Sequence, residues 1–284
     1  MTLGTPASSL RPASLTASRI ITRLLWQTVI VVHEVAAEGF SDPGDYEAAR
    51  PSYPPDAVAW FVDNLRIAPG AVVADLAAGT GKLTRLLAPT GADIVAVEPV
   101  DGMRASFRTL LPGVRLVAGT AEALPIAADA LDAITVAQAW HWFDHDRAIA
   151  EVARVLRPGG RVGLVWNARD RNEPWVDAVW TIMDRVEKRA PWRDHENWRD
   201  SALNGPMPGF GRLHAAEFWH IQTTTPEGVV QRVASVSHVA VLPPDEQRQV
   251  LDEVRHVVAT HPAVRGRETV QITYRVDCFW AERH

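Results

Sequence analysis

Short apolar runs of strand length alternate with amphipathic stretches through the middle of this chain. Val72 to Leu76, Ala92 to Val97, Val114 to Ala118, Leu131 to Val136 and Arg161 to Trp166 each read as a strand buried on both faces. Between and around them, the 3.6-residue spacing of apolar positions predicts helices over about 55–66, after Gly81 with Leu83, Leu86 and Leu87 on one face, around 101–110 and about 146–156. Arg157-Pro-Gly-Gly160 reads as the turn before the fifth strand. Strands alternating with helices predict an α/β fold with a doubly wound, mostly parallel sheet.

After Asn167 the alternation lapses. A helix over about 173–189 leads into a loop-rich stretch, and together they predict a cap over about 173–211. Leu213 to Thr224 alternates as a strand, two helices follow (about 226–236 and 244–259), and Glu268 to Trp280 alternates again. At the other end, residues 1–33 contain no Asp or Glu, and the apolar run Leu24 to Val32 is too short to span a bilayer. Residues 1–38 are expected to be a disordered leader or an over-called translation start, with residues 39–284 as one domain. A targeting segment is the other reading, against which His33 and Glu34 argue.

The composition, 284 residues with 47% hydrophobic and 22% charged, supports one substantial core. A net charge of -5 gives no basic footprint for nucleic acid or an anionic membrane. The lone Cys278 excludes an internal disulfide and fits a reducing cytoplasm. The ten histidines form no recognisable metal motif. Asp144 and His145 are adjacent but lack a third ligand, so no metal is expected.

The first apolar run ends in Asp75, a turn of small residues spans Ala77 to Gly81, and a helix begins. Free N–H groups at that helix start, with an acid beside them, make a pocket of both signs. A phosphate loop would need Gly where Leu76 stands and Ser or Thr where Leu83 stands. A dinucleotide fingerprint is weakened by Thr84 in place of its third glycine and by Asp75. The remaining reading is S-adenosylmethionine (SAM), with Asp75 near its ammonium and Gly79, Thr80 and Gly81 near its carboxylate. Glu98 ends the next strand about twenty residues on, the spacing at which a carboxylate reaches a ribose.

Taken in order, Asp75-Leu-Ala-Ala-Gly-Thr-Gly81, Glu98, Gly119-Thr-Ala-Glu122, Ala137-Gln138 and Leu156-Arg-Pro-Gly-Gly-Arg161 resemble the motifs of the class I SAM-dependent methyltransferases, the broad group that includes trans-aconitate methyltransferase-like proteins. Tyr46, Arg50 and Tyr53 resemble that family's N-terminal strap. The resemblance covers about residues 40–167 by motif. It implies a seven-stranded sheet with an antiparallel C-terminal edge hairpin, Gly119 to Glu122 along an adenine, Ala137 and Gln138 behind the sulfur, and Tyr46 and Arg50 as a lid. Two departures stand out: Ala77 replaces a usual glycine, and Thr120 a usual adenine-binding acid. Adenine contact then falls to the backbone near Ala121, to Glu122 or to apolar packing by Met103.

Methyl transfer from a sulfonium is an in-line displacement that depends on positioning. His141, just past Gln138, is the candidate base or acceptor contact, and Trp140 and Trp142 on either side of it are candidates for an aromatic wall against the acceptor. Trp175, Trp192 and Trp198 are candidates for an aromatic cap, and the abundance of tryptophan (eleven against three tyrosines) points to a small, partly apolar acceptor. The expected protein is a cytoplasmic monomer or homodimer. Two other classes stay open: an NAD(P)-dependent oxidoreductase, and a SAM-binding protein without catalysis.

Overall fold

The computed structural model describes residue 47 and residues 49–187 and 207–284. The leader, Tyr46, Trp192, Trp198 and most of the expected loop-rich cap lie outside the described residues. Seven strands form one sheet: β1 (Val72–Leu76), β2 (Asp93–Val97), β3 (Arg115–Val117), β4 (Leu131–Ala137), β5 (Leu156–Arg169), β6 (His214–Thr224) and β7 (Val270–Glu282), in the order β3-β2-β1-β4-β5-β7-β6. The first five are parallel, and β7 runs antiparallel to both neighbours. The doubly wound sheet with an antiparallel edge is thus the architecture observed. The edge pair is joined by helices rather than by a tight turn.

Around the sheet run α1 (Pro55–Asn64), α2 (Lys82–Leu87), α3 (Asp101–Leu110) and α4 (His145–Val155). Four more helices belong to the C-terminal half: α5 (Pro174–Glu187), α6 (Pro226–Ala234), α7 (Ser237–Ala240) and α8 (Pro244–Thr260). Proline at the first turns of α1, α6 and α8 pre-sets φ where no N–H is needed. Asp144 caps α4 by accepting from the Arg147 N–H.

Strand alternation divides the core. Val73, Ile94, Val165 and Val276 face α1 and α2, with Phe61, Leu65 and Leu87. Ala74, Leu76, Val95, Ile134, Val136 and Leu164 face α4, with Val152, Val155 and Trp140. A third core is helical and contains Trp175, Val179, Trp180, Met183, Val229, Val233, Val254 and Tyr274. The helical part is therefore larger than the expected cap over 173–211, because α6 to α8 close on α5 and the start of β7.

The fifth strand also begins earlier than its apolar run. Leu156 pairs with Leu131, Arg161 pairs with Ala133, and the residues between are accommodated as an irregularity. Gly159 takes φ +75° there, and the Gly159 N–H bonds the Arg283 carbonyl. The Pro-Gly-Gly segment is consequently a bulge within a strand.

Because β2 and β4 flank β1, the chain reverses its winding direction between β1 and β4. In sheets of this kind ligands lie in the crevice outside the carboxyl ends at that reversal. Asp75, Glu98, Gln138 and His141 all belong to this edge.

Candidate active site

The turn after β1 is the foundation of the site. Ala77, Gly79 and Gly81 have φ of +50°, +58° and +86°, and Ala77 adopts the left-handed region despite its methyl. A β-carbon at Gly81 would lie 2.5 Å from Leu111 Cδ1 and 2.8 Å from Phe107, whereas one at Gly79 would meet nothing within 4 Å. Gly81 is thus demanded by backbone and packing together, while Gly79 looks onto open space. Gln138, at the end of β4, also has positive φ, +60°. Two non-glycine residues in a costly conformation thus flank the crevice on adjacent strands.

Beneath the turn, Asp75 is 1% exposed. It accepts from Thr84 Oγ1 (2.5 Å) and Thr135 Oγ1 (2.8 Å), and the β1–β4 register places Thr135 directly opposite. Burial pushes its pKa up to about 6 against the pull of those hydroxyls. The expected direct approach of Asp75 to a ligand ammonium is not what the side chain presents. Its oxygens are turned into the sheet edge, where they hold the first turn of α2.

Glu98 is also buried, and burial raises its pKa. Its Oε2 accepts from the Gly79 N–H and its Oε1 from the Val100 N–H, both at 2.8 Å. A carboxylate offers about four lone-pair sites, so each oxygen keeps capacity for another donor. Met103 is buried on α3, just past Glu98.

The loop after β3 is tightly built. A β-carbon at Gly119 would lie 2.8 Å from Pro125 Cδ. Thr120 and Ala123 form an isolated bridge and Ala121 is buried. Glu122 Oε1 accepts from the Asp144 N–H at 3.0 Å, tying this loop to the start of α4. Ala137, paired with Val165, ends β4, and the Gln138 N–H bonds the Val165 carbonyl.

His141 and Trp142 are partly buried in the short 3₁₀ turn after β4, with ring centroids 5.0 Å apart. Burial, then the charge of Arg50, then His145 push the His141 pKa down to about 4, so its imidazole is neutral near pH 7. Trp140 and Trp175 are corrections. At 0% and 3% exposure they belong to the two cores, Trp140 stacking on His145 and Trp175 packing among the helices. Their large apolar faces gain more from those cores than from a solvent-facing wall. Asp144 serves as a helix cap, and His145 Nε2 contacts the Trp140 carbonyl at 3.1 Å.

The sequence reading missed the strap's main contact. Glu47 accepts from Thr80 Oγ1 (2.5 Å), Lys82 Nζ (3.3 Å) and Arg85 Nη2 (2.6 Å), and Lys82 Nζ also donates to the Glu47 carbonyl. Burial alone would raise the Glu47 pKa, but these donors hold it below the usual value. Thr84 and Thr135 were missed as well. Thr84 read as a defect in a dinucleotide fingerprint, and nothing local marks Thr135. A separate cavity of about 300 Å³ opens at the amino ends of the strands, lined by Arg66, Asp132, Arg157 and Arg161. It lies at the opposite end of the sheet from the glycine turn.

The seven-stranded order β3-β2-β1-β4-β5-β7-β6 with β7 antiparallel, and with this crevice at its reversal, is the class I methyltransferase fold. Residues 74–164 match the family model described as a methyltransferase domain. An uncharacterised methyltransferase of Mycobacterium tuberculosis H37Rv is 42% identical over 236 residues, covering 83% of this chain and 91% of its own length. An uncharacterised methyltransferase-like protein of Schizosaccharomyces pombe is 35% identical over 244 residues (86% and 94%). Among solved structures, a protein of Anaeromyxobacter dehalogenans assigned to the type II methyltransferases superposes with TM-score 0.62 at 26% identity, over 82% of this chain and 97% of that chain. The chain belongs to the SAM-dependent methyltransferase family.

Proposed function

We propose that the protein transfers the methyl group of SAM to a small-molecule acceptor in the cytoplasm, by in-line displacement at the carboxyl ends of β1, β2 and β4. The observation that carries this is the pairing of Glu98 with Gly79. A buried carboxylate with spare lone pairs is fixed by the backbone of a turn in which the space a β-carbon at Gly79 would enter is open. Bound there, SAM supplies an electrophilic methyl on its sulfonium.

The chain's residues divide the remaining work. Glu98 accepts from ribose hydroxyls. The turn from Ala77 to Gly81 offers N–H groups to the carboxylate, and Asp75 acts through it, as a positioning residue that also supplies negative potential. Met103, Gly119, Thr120, Ala121 and Glu122 form the adenine side, and Ala137 and Gln138 the floor behind the sulfur. Glu47, with Arg50 of the strap, closes over the turn. His141, neutral near pH 7, accepts a proton or orients the acceptor, with Trp142 beside it. Among the described residues, no group of three His, Cys, Asp or Glu is gathered as for a metal, and no helix is long and apolar enough to cross a membrane.

Calorimetric titration with SAM, with its demethylated product S-adenosylhomocysteine and with NAD tests the donor. We expect the first two to bind, and Glu98→Ala to weaken both. Binding of NAD with no response to the others would overturn the proposal in favour of an oxidoreductase. Labelled SAM with a panel of acceptors tests the transfer itself.

A further inference from the structure

Arg232, on the buried side of α6, is 5% exposed, and its Nε and Nη1 have no hydrogen-bond partner among the described residues. Arg169, the last residue of β5, places its guanidinium over the Trp180 ring, 4.9 Å from the centroid. Burial, followed by the charge of Arg232, lowers the Arg169 pKa to about 10, so the two guanidiniums share one neighbourhood. His238 on α7 has a buried Nε2 without a partner among the described residues. Burial first, then Arg169, Arg50 and Arg232, push its pKa down to about 4. Arg50 donates through Nη2 to the Ser235 carbonyl at 2.7 Å, in the turn between α6 and α7, and its charge also reaches His141. The strap, the end of β5, α6 and α7 therefore bring cationic or donor groups together beside the candidate base.

Among the described residues, little neutralises them. Asp184 and Glu187 on α5, with Tyr274 on β7, are the groups of opposite tendency that Arg169 senses, and Asp184 is the one that His238 senses. Asp184 is 40% exposed and engaged by Arg171 at 2.6 Å. Other arginines in the fold have close carboxylates: Arg154 bonds Glu151 and Arg161 bonds Glu282, both at 2.7 Å. A guanidinium taken out of water without a counter-ion is costly, so a site that keeps two of them together is built for a charge that arrives with a ligand.

We propose that Arg232 and Arg169, with Arg50 and His238 at the rim, form an anion site, and that the methyl acceptor is a molecule anchored there by a carboxylate or phosphate. This rests on the methyl-transfer reading of the adjoining strand ends. A guanidinium fork matches the two-oxygen face that both groups present. An anion clasped by such forks has its lone pairs engaged. It therefore serves as the anchor, and the methylated atom lies elsewhere on the acceptor, toward His141.

The test uses the full chain, with and without S-adenosylhomocysteine, titrated with sodium phosphate and with sodium succinate at ionic strength held constant with sodium chloride. At least one anion is expected to bind by calorimetry and to raise Tm. Phosphate alone identifies a phosphate ester acceptor, and succinate alone a carboxylate. Arg232→Gln and, independently, Arg169→Gln are expected to weaken that binding by about tenfold or more, the loss of one charge-assisted pair, while S-adenosylhomocysteine affinity is unchanged. In anion-free buffer Arg232→Met is expected to melt no lower than the wild type, because an uncompensated buried charge has been removed. Absence of any anion effect beyond that of chloride overturns the proposal. So does an Arg232→Met variant that melts lower while anion affinity is kept, which would make the guanidinium structural. Failure of S-adenosylhomocysteine to bind the wild type is a separate result that refutes the donor assignment, because the anions are titrated against ligand-free protein as well.

Discussion

Gly79 and Gly81 are two residues apart in one turn, and an alanine at each should fail differently. Both have positive φ, so either alanine carries the left-handed penalty of about 1–2 kcal/mol. At Gly81 the new methyl also meets Leu111 and Phe107 at 2.5 and 2.8 Å. Overpacking of that kind adds about 1–3 kcal/mol, for a total of roughly 2–5 kcal/mol. At roughly 2–4 °C per kcal/mol in a domain of this size, Gly81→Ala should lower Tm by roughly 4–20 °C. The methyl of Gly79→Ala meets no protein atom, so the expected loss is a few degrees, but the methyl points where the donor is proposed to lie. Steric conflict of about 1–3 kcal/mol there corresponds to roughly 5–150-fold weaker binding. Thermal melts and calorimetry with S-adenosylhomocysteine measure both quantities. The reasoning is refuted if Gly79→Ala binds S-adenosylhomocysteine as the wild type does, or if the two variants melt alike.

Three further expectations concern ionisable groups. Glu47→Ala removes the acceptor for Thr80, Lys82 and Arg85; it should cost about 1–3 kcal/mol in urea melts and speed amide hydrogen exchange at Ala49 and Arg50, and unchanged exchange there would detach Glu47 from the strap's closure. Because the Glu47 pKa is lowered on folding, its contribution is present above the unfolded value near 4.5 and should fade as pH falls through the folded one. Asp75 has the opposite sign: with a folded pKa of about 6 against 3.8, its contribution is full below 3.8 and lost as pH rises through 6. Wild type should therefore lose stability relative to Asp75→Asn between pH 4 and 6, by up to about 3 kcal/mol, and parallel pH profiles of the two would show that the carboxyl is not desolvated. For His141→Ala, turnover should fall by roughly 10²–10⁴-fold if the imidazole is the base, with S-adenosylhomocysteine affinity kept. At a pKa of about 4 the wild-type kcat/KM should show no inflection near 6.5 from this residue, and a 6.5 inflection that vanishes in the variant would contradict its placement.

The parallel sheet was readable because strands buried on both faces leave continuous apolar runs, and Val72 to Leu76 and Leu131 to Val136 are such runs. The start of β5 was not readable. Pro-Gly-Gly is a turn by local preference, and only pairing with Leu131 and Arg283 makes it a bulge. The left-handed turn at Gly79 and Gly81 and the strand-end place of Glu98 were legible because backbone conformation and strand-end spacing constrain residue type locally. Glu47, Thr135 and Arg232 were not, because their meaning lies in contacts between remote segments. Thr135 meets Asp75 across 60 residues, and Glu47 meets Lys82 across 35. Trp140 and Trp175 misled for the related reason that an aromatic residue suits a core as well as a wall.

The two ends of the sheet show where stability has been given up. At the amino ends, Arg157 is paired with Asp132, and Arg161 and Arg66 with Glu282. At the carboxyl ends, Ala77 and Gln138 hold left-handed backbone, Asp75 and Glu98 are carboxylates raised in pKa by burial, and Arg232 keeps two nitrogens unpartnered among the described residues. Each departure costs free energy by a different mechanism (backbone strain, desolvated anion, desolvated cation), so no single packing constraint produces them together. Their signs are also segregated: the acids lie at β1 and β2, and the buried cations Arg169 and Arg232 lie beyond β5 among the helices. A cationic donor and an anionic acceptor would each meet opposite charge on its own side, with β4, Gln138 and His141 between them. On this view the helical core of α5 to α8 holds Arg169, Arg232 and His238 in place, and substitutions there should change which acceptors are methylated before they change donor affinity.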